Sequence, residues 1–205
     1  MAVATFTSRH FSPVLIASEL AHLRDPNDPA GKALRDNEDF TVKVATGANE
    51  VRAVFVVDEQ NMEIGIRIPS EFPLAGIEVR DTKKIGVSDA QWRAWLLAVQ
   101  QVVTTQVRLS FPCLSFSLRR TKILILRPLQ NGLIADALTL FKRNVALHFE
   151  GVEACAICYS VISVVDLSLP TKKCRTCNNR FHSQCLFKWF STSHGSSCPL
   201  CRSLF

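Results

Sequence analysis

Apolar residues recur along this chain in two different rhythms, and the change of rhythm divides it. Between Ser12 and Leu23 the positions Val14, Ile16, Leu20 and Leu23 predict a helix with one apolar face. A loop rich in Asp, Asn and Pro follows. Three short runs, Phe40 to Ala45, Val51 to Val57 and Met62 to Ile68, then alternate roughly in the manner of strands. Glu59-Gln60-Asn61 reads as the hairpin turn between the last two. Pro69 and Pro73 stop the ladder, because proline has no backbone donor, and Gly76 to Arg80 predicts a last strand beyond that kink. Helical spacing takes over at Ser88, which with Gln91 makes a capping-box pattern. Trp92, Trp95, Leu96, Val99, Val102 and Val103 follow on one face. Those tryptophans belong to a core stripe rather than to a binding platform. A second stripe, Ile134, Ala137, Leu138, Phe141, Val145 and Phe149, runs directly into a cysteine cluster and predicts a rigid join. The pattern is α+β, a tail over residues 1–11, a meander with helices over 12–150, and a small unit over 151–205.

Residues 107–130 obey neither rhythm. They hold Arg108, Arg119, Arg120, Lys122 and Arg127 with no acid, so the net charge of +6 is local: the remainder balances 19 basic against 18 acidic residues. Thiolate ligation of zinc lowers the total further, which leaves no whole-molecule electrostatic case for direct nucleic-acid binding. The segment reads either as a basic arm for RNA or lipid headgroups or as a solvated loop, and long unpatterned insertions favour the loop. With 205 residues, 47% of them hydrophobic, the chain can bury one ordinary core and a second small one. No apolar run approaches the roughly 20 residues that a membrane-spanning helix needs. The first 20 residues carry only Arg9 and no uninterrupted apolar stretch, so no secretory signal is expected and the default compartment is cytosol or nucleus.

Seven of the eight cysteines crowd into residues 155–201, a clustering that outside secreted proteins points to metal rather than disulfides. They form four ligand pairs with a two-residue gap: Cys155 and Cys158, Cys174 and Cys177, His182 and Cys185, Cys198 and Cys201. A tight turn presents both side chains of such a pair at about 2.3 Å from one zinc, and eight ligands make two tetrahedral sites. A unit of 55 residues, Gly151 to Phe205, cannot build a sufficient core, so metal ligation supplies much of its folding free energy. Both zinc ions are structural, because four protein ligands leave no open position for an activated water. Spacing alone leaves the pairing open: neighbouring, nested and alternating combinations all satisfy it. Cys113 stands outside the pattern and reads as an inert thiol.

Two families order their ligands as four cysteines, one histidine and three cysteines: variant RING fingers and PHD fingers, which read histone tails. A PHD finger has an aromatic residue two positions before its seventh ligand, where this chain has Ser196. The RING accessory residues are present as Ile157, Trp189 and Pro199, and they outweigh the four-residue gap from Cys177 to His182, which alone suits a PHD finger. A closer likeness lies in Phe149-Glu150-Gly151-Val152-Glu153, Cys155-Ala156-Ile157-Cys158-Tyr159-Ser160-Val161-Ile162-Ser163, Ser168-Leu169-Pro170-Thr171-Lys172 and Lys188-Trp189-Phe190. From about Ser12 to Phe205 the chain resembles the C-terminal region of the listerin family of ubiquitin ligases, its fungal members best.

That resemblance implies an RWD-like domain before a two-zinc cross-brace RING, and Ile68-Pro69-Ser70-Glu71-Phe72-Pro73 is similar to the RWD proline motif, without its later proline. It implies alternating ligation, with Cys155, Cys158, His182 and Cys185 on one zinc and Cys174, Cys177, Cys198 and Cys201 on the other. Ile157, Trp189 and Pro199, with Leu200 at the rim, would receive a ubiquitin-conjugating enzyme. The plain alternative for Trp189 is that, with Leu186 and Phe190, it packs the finger's small core; Arg202 would be a cationic linchpin between that enzyme and its ubiquitin. The implied function is ubiquitin transfer, without a covalent intermediate on the ligase, to lysines of stalled nascent chains on the large ribosomal subunit. Partners would be the charged conjugating enzyme, ubiquitin, and that subunit with its quality-control cofactors, in the cytosol. The alternatives are a PHD-type reader module without ligase activity and RNA binding through residues 107–130. The family's long helical-repeat array is missing, so the chain reads as a C-terminal fragment or a truncated gene product.

In similar chains the Trp95 helix connects almost directly to the segment matching Asn131-Gly132-Leu133-Ile134, so residues 107–130 read as an insertion, and as a retained intron. A codon for Val107 begins with GT, one for Gln130 can end in AG, and removing the 24 codons keeps the frame. Transcript sequencing is expected to find spliced message lacking them; unspliced message alone would refute the intron.

Overall fold

The protein, described from a computed structural model, is seen over residues 2–25, 27–109 and 133–205. Of the segment 107–130 only the first three positions fall among these, as the last turn of a helix; Cys113, Arg119, Arg120, Lys122 and Arg127 lie outside the described residues.

Residues 1–11 depart from the expected tail. They contain helix α1 (Ala2–His10), which runs almost without a break into α2 (Ser12–Arg24): Phe11 N–H donates to Thr7 O at 2.9 Å and Leu15 N–H to Phe11 O at 3.1 Å. The apolar face expected for α2 also needs correction, since Val14 is 68% exposed while Ser12, Ile16, Leu20 and Leu23 are buried. Positions two apart lie about 200° round a helix, so Val14 cannot share a face with Ile16. The Asp/Asn/Pro-rich loop holds a further short helix, α3 (Pro29–Arg35). The Arg35 guanidinium donates to Leu23 O at 2.8 Å and Arg24 O at 3.0 Å, satisfying carbonyls at the end of α2. Lys142 does the same for α3, donating to Ala33 O at 2.7 Å. The two helices pack so closely that a Cβ on Gly31 would stand 2.7 Å from Asp25 O.

The sheet is a four-stranded antiparallel meander in the order β1 (Phe40–Ala45), β2 (Glu50–Val57), β3 (Gln60–Arg67) and β4 (Glu78–Lys83). Pairing of Val57 with Gln60 makes the β2–β3 turn Asp58-Glu59, one residue earlier than the sequence suggests. Both residues have positive φ, 51° and 66°, as a two-residue hairpin turn matched to the strand twist requires. The β3–β4 register slips between Glu63 and Ile64, and β4 begins at Glu78 rather than Gly76. Gln100 fixes that edge: its Oε1 accepts from Val79 N–H at 3.0 Å and its Nε2 donates to Ile77 O at 2.7 Å.

Helices α4 (Asp89–Leu109) and α5 (Leu133–Phe149) pack together beside the sheet. Ser88 Oγ accepts from Gln91 N–H at 3.3 Å, the cap read from sequence. Trp92, Val99, Val103, Leu138, Phe141 and Val145 are buried with Val51, Ala53, Phe55, Met62, Ile64 and Ile66 of the central strands. The buried indole of Trp92 keeps a partner, donating to Asp81 Oδ1 at 2.8 Å. The C-terminal unit has little regular structure: a two-residue pair β5 (Lys172–Lys173) and β6 (Arg180–Phe181), then α6 (Ser183–Ser193).

The corrected face of α2 gives a test. Leu20→Ala, at a site 3% exposed, is expected to cost about 2–5 kcal/mol in chemical denaturation, and Val14→Ala to stay within about 0.5 kcal/mol.

Candidate metal centre

Three of the four ligand pairs sit on tight turns of one design. In each, the N–H of the residue after the second cysteine returns to the first cysteine's carbonyl: Tyr159 to Cys155 at 2.7 Å, Asn178 to Cys174 at 3.1 Å, and Arg202 to Cys198 at 3.0 Å. Closing that turn puts the returning residue in the left-handed region, with φ of 59°, 62° and 58°. Only Asn accepts this conformation at small cost. The fourth pair lies at the start of α6, where His182 is the N-cap residue and Cys185 projects from the first turn.

The turns bring the pairs together in alternation. The ligand atoms of Cys155, Cys158, His182 and Cys185 lie within 4.8 Å of one another, as do those of Cys174, Cys177, Cys198 and Cys201. Four sulfurs at 2.3 Å from a common zinc stand about 3.8 Å apart. In the second cluster Cys174 and Cys201, and Cys177 and Cys198, are each 3.7 Å apart, Sγ to Sγ, the edge of a zinc tetrahedron and far beyond a disulfide bond. In the first, His182 Nδ1 stands 3.4 Å from Cys158 Sγ and 3.9 Å from Cys185 Sγ. The donor sets therefore fit two zinc ions, each with four protein ligands.

Backbone and side-chain donors prepare some sulfurs for ionisation, while burial opposes it at others. The Ser203 side chain and N–H hold Cys201 down to about 6, and the Asn179 side-chain amide followed by its N–H lowers Cys177. Burial raises Cys155, but donors from Cys158, His182 and Ile157 outweigh it. Burial pushes Cys185 up to about 12, with the neighbouring Cys158 and Cys155 adding to it, and pushes Cys198 up to about 11. Bound zinc supplies the positive charge that lets all of them ionise together.

The other candidate residues surround these clusters. Ile157 belongs to the first turn; it is half-buried and packs against the finger's small core of Phe181, Leu186 and buried cysteines. Trp189 is half-buried on α6, and its indole N–H donates to Ser197 O at 3.0 Å, tying the helix to the turn that carries Pro199. Pro199 is half-buried and Leu200 is 50% exposed. Arg202 is exposed, its backbone fixed by the last turn. Leu186 is buried, while Phe190 packs partly against that core beside Phe205, ring centroids 5.7 Å apart. Ser196 is exposed. Sequence reasoning passed over Phe181, and also Asn179 and Ser203, each two residues beyond the last cysteine of its pair, a position that could have signalled a donor to sulfur.

Two family models match the chain: the Ring finger domain over residues 153–202 and the Ubiquitin conjugating domain-like family over residues 40–109. The zinc unit is a RING finger. The sheet and its helices form a domain of the ubiquitin-conjugating-like fold, to which the RWD-like reading corresponds. Along nearly its whole length the chain is similar to proteins named E3 ubiquitin-protein ligase listerin. It is 39% identical over 209 residues to that of Schizosaccharomyces pombe, covering 99% of this chain and 11% of the relative. Against the Saccharomyces cerevisiae protein the identity is 37% over 202 residues, 98% of this chain and 11% of the relative. Against the Gallus gallus protein it is 38% over 203 residues, 99% and 10%. The chain thus spans about a tenth of the length of these relatives. Among the described residues no helix is long and apolar enough to cross a membrane.

Metal analysis of the RING finger is expected to give two zinc ions per chain. At pH 7 the metal-free Cys185 and Cys198 hold protons that zinc must displace. Zinc binding is therefore expected to release protons and to tighten as pH rises from 6 to 8, as calorimetry in buffers of different ionisation enthalpy would read.

Proposed function

We propose that this chain is a RING-type ubiquitin ligase module that binds a charged ubiquitin-conjugating enzyme and promotes transfer of ubiquitin to substrate lysines. The observation that carries the reading is similarity across 99% of the chain to a named E3 ubiquitin-protein ligase, supported by a RING finger whose two metal clusters are complete. The zinc ions do no chemistry on the substrate; they hold the residues that do the positioning. In the step itself a lysine amine attacks the thioester carbonyl, the carbon–sulfur bond breaks, and the conjugating enzyme's thiol is released as the isopeptide bond forms.

Each residue then has a role of holding. Ile157, Trp189 and Pro199, with Leu200 beside them, form the apolar patch that receives the conjugating enzyme, an aromatic anchor in a shallow interface. The guanidinium of Arg202, directly after the last zinc ligand, donates to carbonyls on both the enzyme and its ubiquitin and keeps the thioester in a near-attack geometry. The ligase contributes no nucleophile of its own. Residues 40–109, the part matched by the conjugating-like family, contain no cysteine. By the same likeness we assign the substrate as stalled nascent chains on the large ribosomal subunit and the compartment as the cytosol, with protein catabolism the outcome. The PHD-type reader is not favoured, because the family model that matches the zinc unit is the RING finger.

Single-turnover discharge of ubiquitin from a panel of charged conjugating enzymes to free lysine tests the reading. Wild type should accelerate discharge, Ile157→Ala should abolish the acceleration, and Arg202→Ala should slow it about tenfold, or about 1.4 kcal/mol, at unchanged zinc content. No acceleration with any enzyme, despite two bound zinc ions, would refute the ligase.

A further inference from the structure

The two domains meet through the loop between the second and third ligands of the RING finger, and the contact ends on a zinc ligand. Val161 is held on both sides of its side chain. Its N–H donates to Asp58 Oδ2 at 2.8 Å, and its carbonyl accepts from His182 Nε2 at 3.1 Å. Ile162 N–H reaches the same carboxylate oxygen at 3.4 Å. The Ile162 side chain, 1% exposed, lies in the core of the first domain and not in that of the finger, with Val161, Leu167 and Leu169 packed partly against it. Gly86 closes the other end of the loop, donating its N–H to Leu167 O at 2.8 Å. It sits at φ +64°, and a Cβ there would press on Ile162 Cδ1 at 3.1 Å and Leu169 Cδ2 at 3.2 Å. His148 of α5 holds Gly86 from behind, donating Nε2–H to its carbonyl at 2.9 Å.

Asp58 stands at the apex of the β2–β3 hairpin, 103 residues before Val161. A turn aspartate of an isolated hairpin would be solvated; this one spends its carboxylate on two consecutive amides of the finger. With Nδ1 of His182 facing the sulfurs, its Nε2–H needs an acceptor, and Val161 O is that acceptor. An acceptor behind a ligating imidazole fixes which nitrogen meets the metal and how the ring is turned, and losing one costs roughly 10–100-fold in metal affinity. A carboxylate on the N–H side of the loop also polarises successive hydrogen bonds in the same direction.

We propose that Asp58 is a positioning residue for the first zinc site: by holding Val161 it sets the carbonyl that orients His182, so the first domain helps to build the metal site of the second. The cluster of Cys174, Cys177, Cys198 and Cys201 takes no part in this chain of contacts, so the effect falls on one zinc of the two. Its consequence for ubiquitin transfer, a RING finger held at a fixed attitude to the first domain, rests on the ligase reading; the metal-site effect does not.

Cobalt loading separates the two sites, because tetrahedral cobalt has distinct visible spectra with three sulfurs and one nitrogen and with four sulfurs. Asp58→Gly removes the carboxylate and keeps the left-handed turn free of strain. It is expected to release cobalt from the three-cysteine, one-histidine site to a chelator about tenfold faster, within the range lost with such acceptors, and to leave the four-cysteine site at the wild-type rate. Asp58→Asn, which retains an acceptor oxygen and tolerates the turn, should restore the first-site rate, and Glu59→Gly should leave both sites unchanged. Should Asp58→Gly fail to fold, Asp58→Ser, whose hydroxyl is a bond too short to reach Val161, gives the same comparison. Equal release from both sites, whether wild-type or accelerated, or no rescue by Asp58→Asn, would overturn the proposal. Ubiquitin discharge by the same variants reads the ligase separately, so failure of either is told from failure of the other.

Discussion

The RING finger holds its shape through metal ligation, and everything placed on its surface depends on that bond set. Apart from cysteines, the apolar side chains fully buried in its own cluster are Phe181 and Leu186, far short of what stabilises 55 residues without help. Three turns moreover force Tyr159, Asn178 and Arg202 into left-handed backbone, at a cost on the order of 1–2 kcal/mol for each residue that is neither Gly nor Asn. Zinc offsets both deficits. It replaces a hydrophobic core by eight strong, directional contacts, and it neutralises sulfurs that would repel one another at 3.7 Å once ionised. The last of these turns places Arg202, at φ 58°, directly after the ligand Cys201.

The first domain is stabilised in a different currency. Its sheet and helices bury a continuous apolar core, from Ile16 to Val145, with buried polar atoms such as the Trp92 indole nitrogen provided with partners. The two modes of stabilisation meet at Ile162, a residue of the finger's sequence that completes the other domain's core. A boundary placed at Gly151 therefore does not divide the packing. The finger lends an apolar side chain to the larger domain and receives from it the Asp58 carboxylate.

What could be read in the sequence is what repeats or what is local. The tryptophan stripe of α4 and its Ser88 cap, the stripe of α5, the proline stop after β3 and each of the four ligand pairs are short-range patterns, none longer than sixteen residues. Val14 is apolar but exposed, because its angle round the helix, not its residue type, decides the face it lies on. Helix α3 hid behind Asp25, Asn27 and Asp28, although Pro29 is well suited to a first helical turn. The Asp58-Glu59 turn was displaced because glutamate is a poor marker of left-handed backbone. The pairing of ligands across the finger, and the hydrogen bonds from Asp58 to Val161, are long-range facts. Nothing near Asp58 distinguishes it from any other polar turn residue, and only the fold brings residue 161 to it.

The interleaving of the ligands also imposes an order in time on a chain made from its N-terminus. The first cluster is complete once Cys185 has been made; the second waits sixteen residues more, for Cys201. The first domain and the loop from Val161 to Leu169 both precede it in the chain. Until Cys201 is present, Cys174 and Cys177 are half of a site. With Val161 held by the first domain and His182 resting on Val161, the return of the chain to Cys198 and Cys201 closes onto a frame anchored at one end.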